Sequence, residues 1–318
     1  MIPLIQYTLL FTSVLTLVAL GGCYAEHSGV INLGLEGIMV MGAFGGALAL
    51  KSFNTSYSNG SVPAILVILA AVVCSMLSGM IYSCLLGIAC INFKADQTLV
   101  GTALNMLATA VATIIAKTMN TIANPDNVSA TISYVNAKKA LLVYFGNFEF
   151  NWFMLIAVIA LVIAYVLLYK TKFGLRLMAC GEHPQAADSV GINVNAMRWS
   201  GVLISGLFGG LGGIVYITAG VSEWKFEYGV AGFGFLSLAV MIFGQWKPHL
   251  IALSAILFGF FRALSNVYTG FAFFKQLNLP STFYNMLPYI ISLVVLAFTS
   301  MNSRAPKAEG IPYDKSAR

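Results

Sequence analysis

The sequence predicts an all-α fold, a polytopic transmembrane bundle of about nine spans, with 8 to 10 as the range that the apolar runs allow. Three observations predict it. The 318 residues are 59% hydrophobic and 9% charged, with a mean hydropathy of +0.85, whereas soluble domains carry about 25% charged residues. Residues 52–93, 228–246 and 276–303 contain no Asp, Glu, Lys or Arg, so each is long enough for the ~20-residue helix that a bilayer requires. The remaining charges gather beside these runs, chiefly at 170–176 and in the tail from Arg304.

Taken in order, spans are expected near 3–23, 30–50, 62–91, 97–117, 152–170, 198–219, 229–246, 248–267 and 282–301. The first ends in Leu20, Gly21, Gly22 and Cys23, which looks like a lipoprotein cleavage site, but residues 1–6 lack the Lys or Arg of a signal peptide, so a retained span is expected. The third run is long, with Ser78 and Gly79 in its middle, and reads as a tilted or a broken helix. Residues 304–318 form a polar tail on the membrane domain 1–303.

Charge sets the expected orientation. Lys170, Lys172, Arg176 and Arg198 flank one connection, and Arg304, Lys307, Lys315 and Arg318 lie in the tail, which places both in the cytoplasm by the positive-inside rule. Counting back puts the N-terminus and the polar stretch 119–151 outside, with Lys138 and Lys139 running against that side. The net charge of +6 is spread too thinly for a nucleic-acid surface. An inverted repeat is also expected: Met41, Pro63 and Asn105 are echoed by Met241, Pro248 and Asn285, in segments that cross in opposite senses.

A carboxylate within a span costs roughly 2.5–3.5 kcal/mol or more and persists only with a partner or water. Glu36 is that residue, among Gly29, Gly34 and Gly37, with Asn32 one helical turn earlier. It either lines a polar cavity or clamps a neighbouring helix. Trp224, Phe226, Phe233 and Phe235 cluster with Gly229, Gly232 and Gly234, an arrangement suited to stacking a flat ligand or to an interfacial aromatic belt. The connection 171–197 holds Gly174, Gly181, Pro184 and Gly191 around Gln185 and Asp188. Pro184 is expected to open a short helix that Gly191 ends, either a docking knob for another protein or a solvated connector.

No GxxxxGK[ST] loop occurs, so energy comes from another subunit or from an ion gradient, and no cofactor is expected on this chain. His27, His183 and His249 are far apart and form no HExxH, and no GxSxG elbow is present, which argues against a membrane hydrolase. The five cysteines form no CxxC pair and suggest neither a disulfide framework nor a metal site. Two other classes remain open on these residues, a proton-coupled secondary transporter with Glu36 as the titrating group and a structural scaffold.

With these residues in view, the chain resembles the membrane permeases of bacterial ABC importers in the branched-chain amino acid and simple-sugar superfamily. It is most similar to the nucleoside-type branch that works with basic-membrane-protein-like lipoproteins. The resemblance rests on E-H-S-G-V-I-N-L-G-L-E-G at 26–37, D-Q-T-L-V-G-T-A-L-N at 96–105, G-L-R at 174–176, G-E-H-P-Q-A-A-D at 181–188, G-I-N-V at 191–194 and R-A-P-K-A-E-G-I-P-Y at 304–313. It spans nearly the whole chain. His27 stands where the family usually has Arg, and His183 where it often has Asn.

The resemblance implies a transport subunit rather than an enzyme, in a bacterial cytoplasmic membrane. It implies a second permease chain, an ABC ATPase that holds ATP and Mg, and an external lipoprotein that delivers a small-molecule substrate. Purine nucleosides lead as cargo, with riboflavin-like flavins, simple sugars and other small metabolites behind. It implies ATPase coupling through Gly181, Glu182, His183, Pro184, Ala186, Ala187, Asp188 and Gly191. The candidates for the substrate path or its gate are Asn32, Glu36, Asn105, Phe233 and Phe235.

Overall fold

A computed structural model describes residues 2–53, 60, 63–132, 142–145, 148–220, 226–271, 274, 280–299 and 304–315. Among them, eight helical segments are long and apolar enough to cross a membrane, and Thr282–Val294 forms a shorter apolar helix. In chain order the helices are α1 (Ile2–His27), α2 (Leu35–Ser52), α3 (Ala64–Gly87), α4 (Gln97–Ala123), α5 (Trp152–Lys170), α6 (Lys172–Glu182) and α7 (Pro184–Ser189). They continue with α8 (Val194–Val215), α9 (Phe233–Phe243), α10 (Pro248–Val267) and α11 (Ser281–Thr299). A hairpin of β1 (Leu142–Phe145) and antiparallel β2 (Phe148–Asn151) precedes α5. Gln6 Nε2 on α1 donates to Glu149 at 2.9 Å and ties the hairpin to the start of the chain.

The boundaries follow local chemistry. Side-chain oxygens of Asp96, Asn151, Thr171 and Asn193 accept the free amides of Leu99, Phe153, Gly174 and Ala196 and so cap α4, α5, α6 and α8. Prolines open α7 and α10, where the missing N–H removes no hydrogen bond.

At the centre lie α1, α2 and α8, buried on nearly all sides, while α3, α4 and α5 turn one face outward. α1 packs on α8 and α10, and α8 packs on α1 and α3. The first helix of each half thus packs on the third helix of the other. Small residues bring α2, α3 and α8 to backbone contact. A Cβ on Gly42 would lie 2.4 Å from Gly210 Cα, and one on Gly210 would lie 2.3 Å from the Ser75 carbonyl oxygen. The Ser75 hydroxyl sits 2.7 Å from the carbonyl oxygens of both Gly42 and Gly210, which share its one proton.

Three sequence expectations need correction, and of the two readings of the third span the broken one is excluded. The second span does not begin near residue 30: α2 starts at Leu35, because Gly29 adopts φ +90° and the Asn32 side chain accepts the Gly34 amide in an Asx turn. Asn32 therefore does not lie one helical turn before Glu36. The third span is unbroken at Ser78 and Gly79, where Gly79 meets the α8 backbone; the irregularity falls instead in the π turn Ile88–Asn92 that ends it. The connection 171–197 is not mainly loop, since α6 occupies 11 residues of it. Gly174 and Gly181 look like breakers in sequence but serve close approach, Gly174 to the end of α5 and Gly181 to the carbonyl of His27. The segment 229–246 is helical only over 233–243, because Gly229, Ala231 and Gly232 all adopt positive φ. Lys138, Lys139 and Trp224 lie outside the described residues.

Candidate functional site

Glu36 sits in the first turn of α2, which begins inside the bundle because the irregular, turn-containing stretch 28–34 carries the chain in from the end of α1. Facing it is the start of α9. That regular helix has 11 residues, about 16 Å of rise at 1.5 Å per residue, or roughly half a hydrocarbon core. Two helix N-termini therefore meet within the bundle, and the Glu36 carboxylate lies between them. Its Oε1 accepts the Gly232 amide at 2.9 Å and its Oε2 accepts the Gly234 amide at 2.7 Å. An anion here satisfies orphan amides of α9 and complements both helix dipoles. Gly234 is required for this approach, since a Cβ there would lie 2.4 Å from the Glu36 nitrogen.

Glu36 also lines a cavity of about 760 Å³ with Thr102, Asn105, Thr109, Thr113, Lys117 and Phe235. The threonines and Asn105 form a polar stripe along one face of α4. The Lys117 ammonium pairs with Glu227 at 2.7 Å at the edge of the cavity. The hydroxyl of Thr113 is buried with no hydrogen-bond partner among the described residues. The cavity opens sideways, past exposed Leu99, Met106, Ile114 and Ile122 on the same helix.

Of the five path candidates, the structure brings Glu36, Asn105 and Phe235 to this cavity and places the other two behind it. Asn105 is chiefly a staple: its Oδ1 accepts the Gly37 amide at 2.7 Å and its Nδ2 donates to the Leu33 carbonyl at 2.8 Å, which fixes α4 against the entry to α2. Asn32 is buried and donates to Ser205 Oγ on α8 at 2.7 Å. Phe233 packs inward between Phe11 and Tyr216, at centroid distances of 5.4 and 4.9 Å. Phe235 is 48% exposed and presents its ring to the cavity.

Sequence reasoning passed over Arg262, which stands on the apolar span α10 with its guanidinium carbon 5.2 Å from the Phe233 ring centroid. Its Nε is buried without a hydrogen-bond partner among the described residues. The signal was available, since Arg262 is the only charged residue between Pro248 and Val267. A cation in a span is as informative as the carboxylate that drew attention to Glu36.

At the far end of α1, the candidate coupling residues form a compact knob. Pro184 and Ala187 face inward, while Glu182, His183, Gln185, Ala186 and Gly191 are exposed. Asp188 is partly buried, and Gly181 rests on the His27 carbonyl. Val190 is 74% exposed at the tip. His27 does not face Glu36: its Nε2 lies 3.0 Å from the Trp246 carbonyl oxygen.

The tail 304–315 folds back over this end. The Ala308 amide donates to the Gly181 carbonyl at 2.8 Å, and the next residue of the tail, Glu309, is partly buried. Burial pushes the Glu309 carboxyl up to about 7. A raised acid favours the docked tail most below the ordinary value of 4.5, and this contribution is lost as pH rises through 7. Protease cleavage of the tail in the purified protein is therefore expected to accelerate between pH 5 and about 8. Glu309→Gln is expected to flatten that dependence.

Comparison with known proteins agrees with this architecture. The family described as branched-chain amino acid transport system / permease component matches residues 4–298. The chain is 38% identical to the guanosine ABC transporter permease protein NupQ of Bacillus subtilis, over 99% of this chain and 97% of that one. It is also 38% identical to the nucleoside ABC transporter permease protein NupC of Lactococcus lactis, over 97% and 95% of the two chains. A second L. lactis protein, the nucleoside ABC transporter permease protein NupB, is 26% identical over 77% of this chain and 67% of its own length. With its multi-pass helical bundle and a match that runs almost end to end, the chain belongs to the branched-chain amino acid transport system / permease component family.

Proposed function

We propose that this chain is one of two permease subunits of a bacterial ATP-driven importer for purine nucleosides. The observation that carries the reading is the laterally open cavity at Glu36, half of a path that a second permease would complete. Its threonine hydroxyls suit a sugar, and the Phe235 ring suits the π-face of a base. The names of NupQ and NupC support a nucleoside, and the likeness to both NupC and NupB supports a partner permease of different sequence. Residues 1–303 act as the membrane domain. The α6–α7 end and the tail face the cytoplasm, where a separate ATPase binds ATP and Mg. A lipoprotein delivers substrate at the opposite face, beside the β1–β2 hairpin.

The test is uptake of radiolabelled guanosine into proteoliposomes that hold both permeases, the ATPase and the lipoprotein. Uptake is expected to require internal-side ATP and to persist when a proton gradient is collapsed. The opposite pattern would turn the reading to a secondary transporter. Phe235→Ala is expected to raise the substrate concentration that gives half-maximal uptake about 5- to 150-fold, the ~1–3 kcal/mol that a base–aromatic stack contributes. Ala186→Glu, on the exposed face of α7, is expected to abolish ATPase co-purification while the permease pair still elutes as a single species.

A further inference from the structure

The tail is fastened to the bundle at points that share one neighbour, the knob formed by α7 and the turn into α8. Ala308 is hydrogen-bonded to Gly181, at the end of α6. The Asp314 carboxylate meets the Lys94 ammonium, in the turn before α4, at 2.9 Å. Lys315 Nζ lies 3.8 Å from Asp188 Oδ1 on α7. Gly310 closes on the side chain of Ile31, where a Cβ would come within 2.8 Å. Between tail and knob lies a groove of about 590 Å³, lined by Lys94, Asp188, Asn193 and Asn195 on one side and by Tyr313 and Lys315 on the other.

The charges around this groove have both signs and keep substantial exposure, 46% for the Lys94 side chain and 44% for Asp314. The tail buries Pro306 and Ala308 and packs Tyr313 on the small cluster of Cys180, Ala187 and Val194. Beside these contacts it leaves a concave polar rim next to the exposed tip at Val190. The guanidinium of Arg198, a residue only 1% exposed, supports it from below, 5.9 Å from the Tyr313 ring.

We propose that residues 304–315 are the second half of the ATPase-docking platform, so that the ATPase subunit seats on α7 and on the tail together, with the groove at Lys94, Asp188, Tyr313 and Lys315 receiving a mixed-charge loop of that subunit. The proposal rests on the importer reading above. It makes the tail a recognition element that an ATPase from an unrelated importer would not match, because its surface is set by residues far from α7 in sequence.

The test is co-purification of the ATPase, identified by mass spectrometry and ATP hydrolysis, with affinity-tagged permease pairs. Deletion of 304–318 is expected to lower ATPase retention about tenfold, the effect of ~1.4 kcal/mol of contact. The permease pair should keep its elution profile and thermal midpoint. Lys94→Glu is expected to lower retention severalfold, and Lys94→Glu combined with Asp314→Lys, which rebuilds the ion pair with its polarity reversed, is expected to leave it low; restored retention would mean that the pair only fastens the tail and would overturn the proposal. Should the deletion variant misfold, this charge exchange decides alone. Full ATPase retention by the deletion variant, or by Lys94→Glu, overturns the proposal and leaves the importer reading standing. Absence of the ATPase from the unaltered permease pair overturns both.

Discussion

Glu36→Ala is expected to abolish uptake and to lower the stability of the purified permease by about 2–6 kcal/mol, the ~1–3 kcal/mol penalty of an unsatisfied buried donor taken for two amides. The reason is the pair of α9 amides. With the carboxylate gone, the N–H groups of Gly232 and Gly234 lose the acceptors that now stand at 2.9 and 2.7 Å. Water reaching the site from the cavity would satisfy them only by loosening α9 from α2. Glu36→Gln separates the two effects. Its carbonyl oxygen still accepts one amide, but its NH2 group confronts the other donor to donor, so stability is expected to fall by roughly 1–2 kcal/mol while uptake remains largely lost. Differential scanning fluorimetry and guanosine flux on the same preparations check both. Wild-type flux in Glu36→Gln would remove the carboxylate from the mechanism.

Gly210→Leu is expected to prevent accumulation of folded protein altogether. The new Cβ would stand 2.3 Å from the Ser75 carbonyl oxygen, 3.0 Å from the Ser75 carbonyl carbon and 3.1 Å from Met76 Cα. Overpacking costs about 1–3 kcal/mol where side chains can shift. Here the obstacles are backbone atoms of α3, and the remaining leucine atoms would also part α2 from α8. Gly191→Ala is the control: Gly191 has φ +85°, but a Cβ there would meet nothing within 4 Å, so only backbone strain of about 1–2 kcal/mol is expected. Detergent extraction followed by size-exclusion of a fluorescent fusion distinguishes them. A monodisperse Gly210→Leu protein would mean that the three helices are not held at backbone distance.

The parts of the fold that rest on one-dimensional patterns were legible. Unbroken apolar runs located the spans, and the Pro184 and Gly191 signals located α7 at Pro184–Ser189 to within a residue or two. What escaped depends on which partner a residue meets. Gly174 and Gly181 carry the same letter as a loop glycine, yet one lies against α5 and the other against the end of α1. The echo of Asn105 in Asn285 does not extend to their contacts: Asn105 staples α4 to α2 whereas Asn285 is exposed on α11. Glu36 stood out because charge is rare in such a sequence. Its function as an acceptor for amides 196 and 198 residues away had no signal in the neighbouring letters. Arg262 is equally rare, but a basic residue in the last two turns of a span also fits the positive charge expected beside spans, which masks it in the sequence.

The meeting of α2, α3 and α8 at Gly42, Ser75 and Gly210 has a mechanical consequence. Helices that touch through their main chains, with one hydroxyl proton held between two of them, have no lubricating layer of side chains on which to slip. When the protein alternates between its two faces, that trio turns as a single block. The compliance must then reside where the chain is already irregular, in 28–34 and 229–232, the two short stretches that deliver α2 and α9 to Glu36.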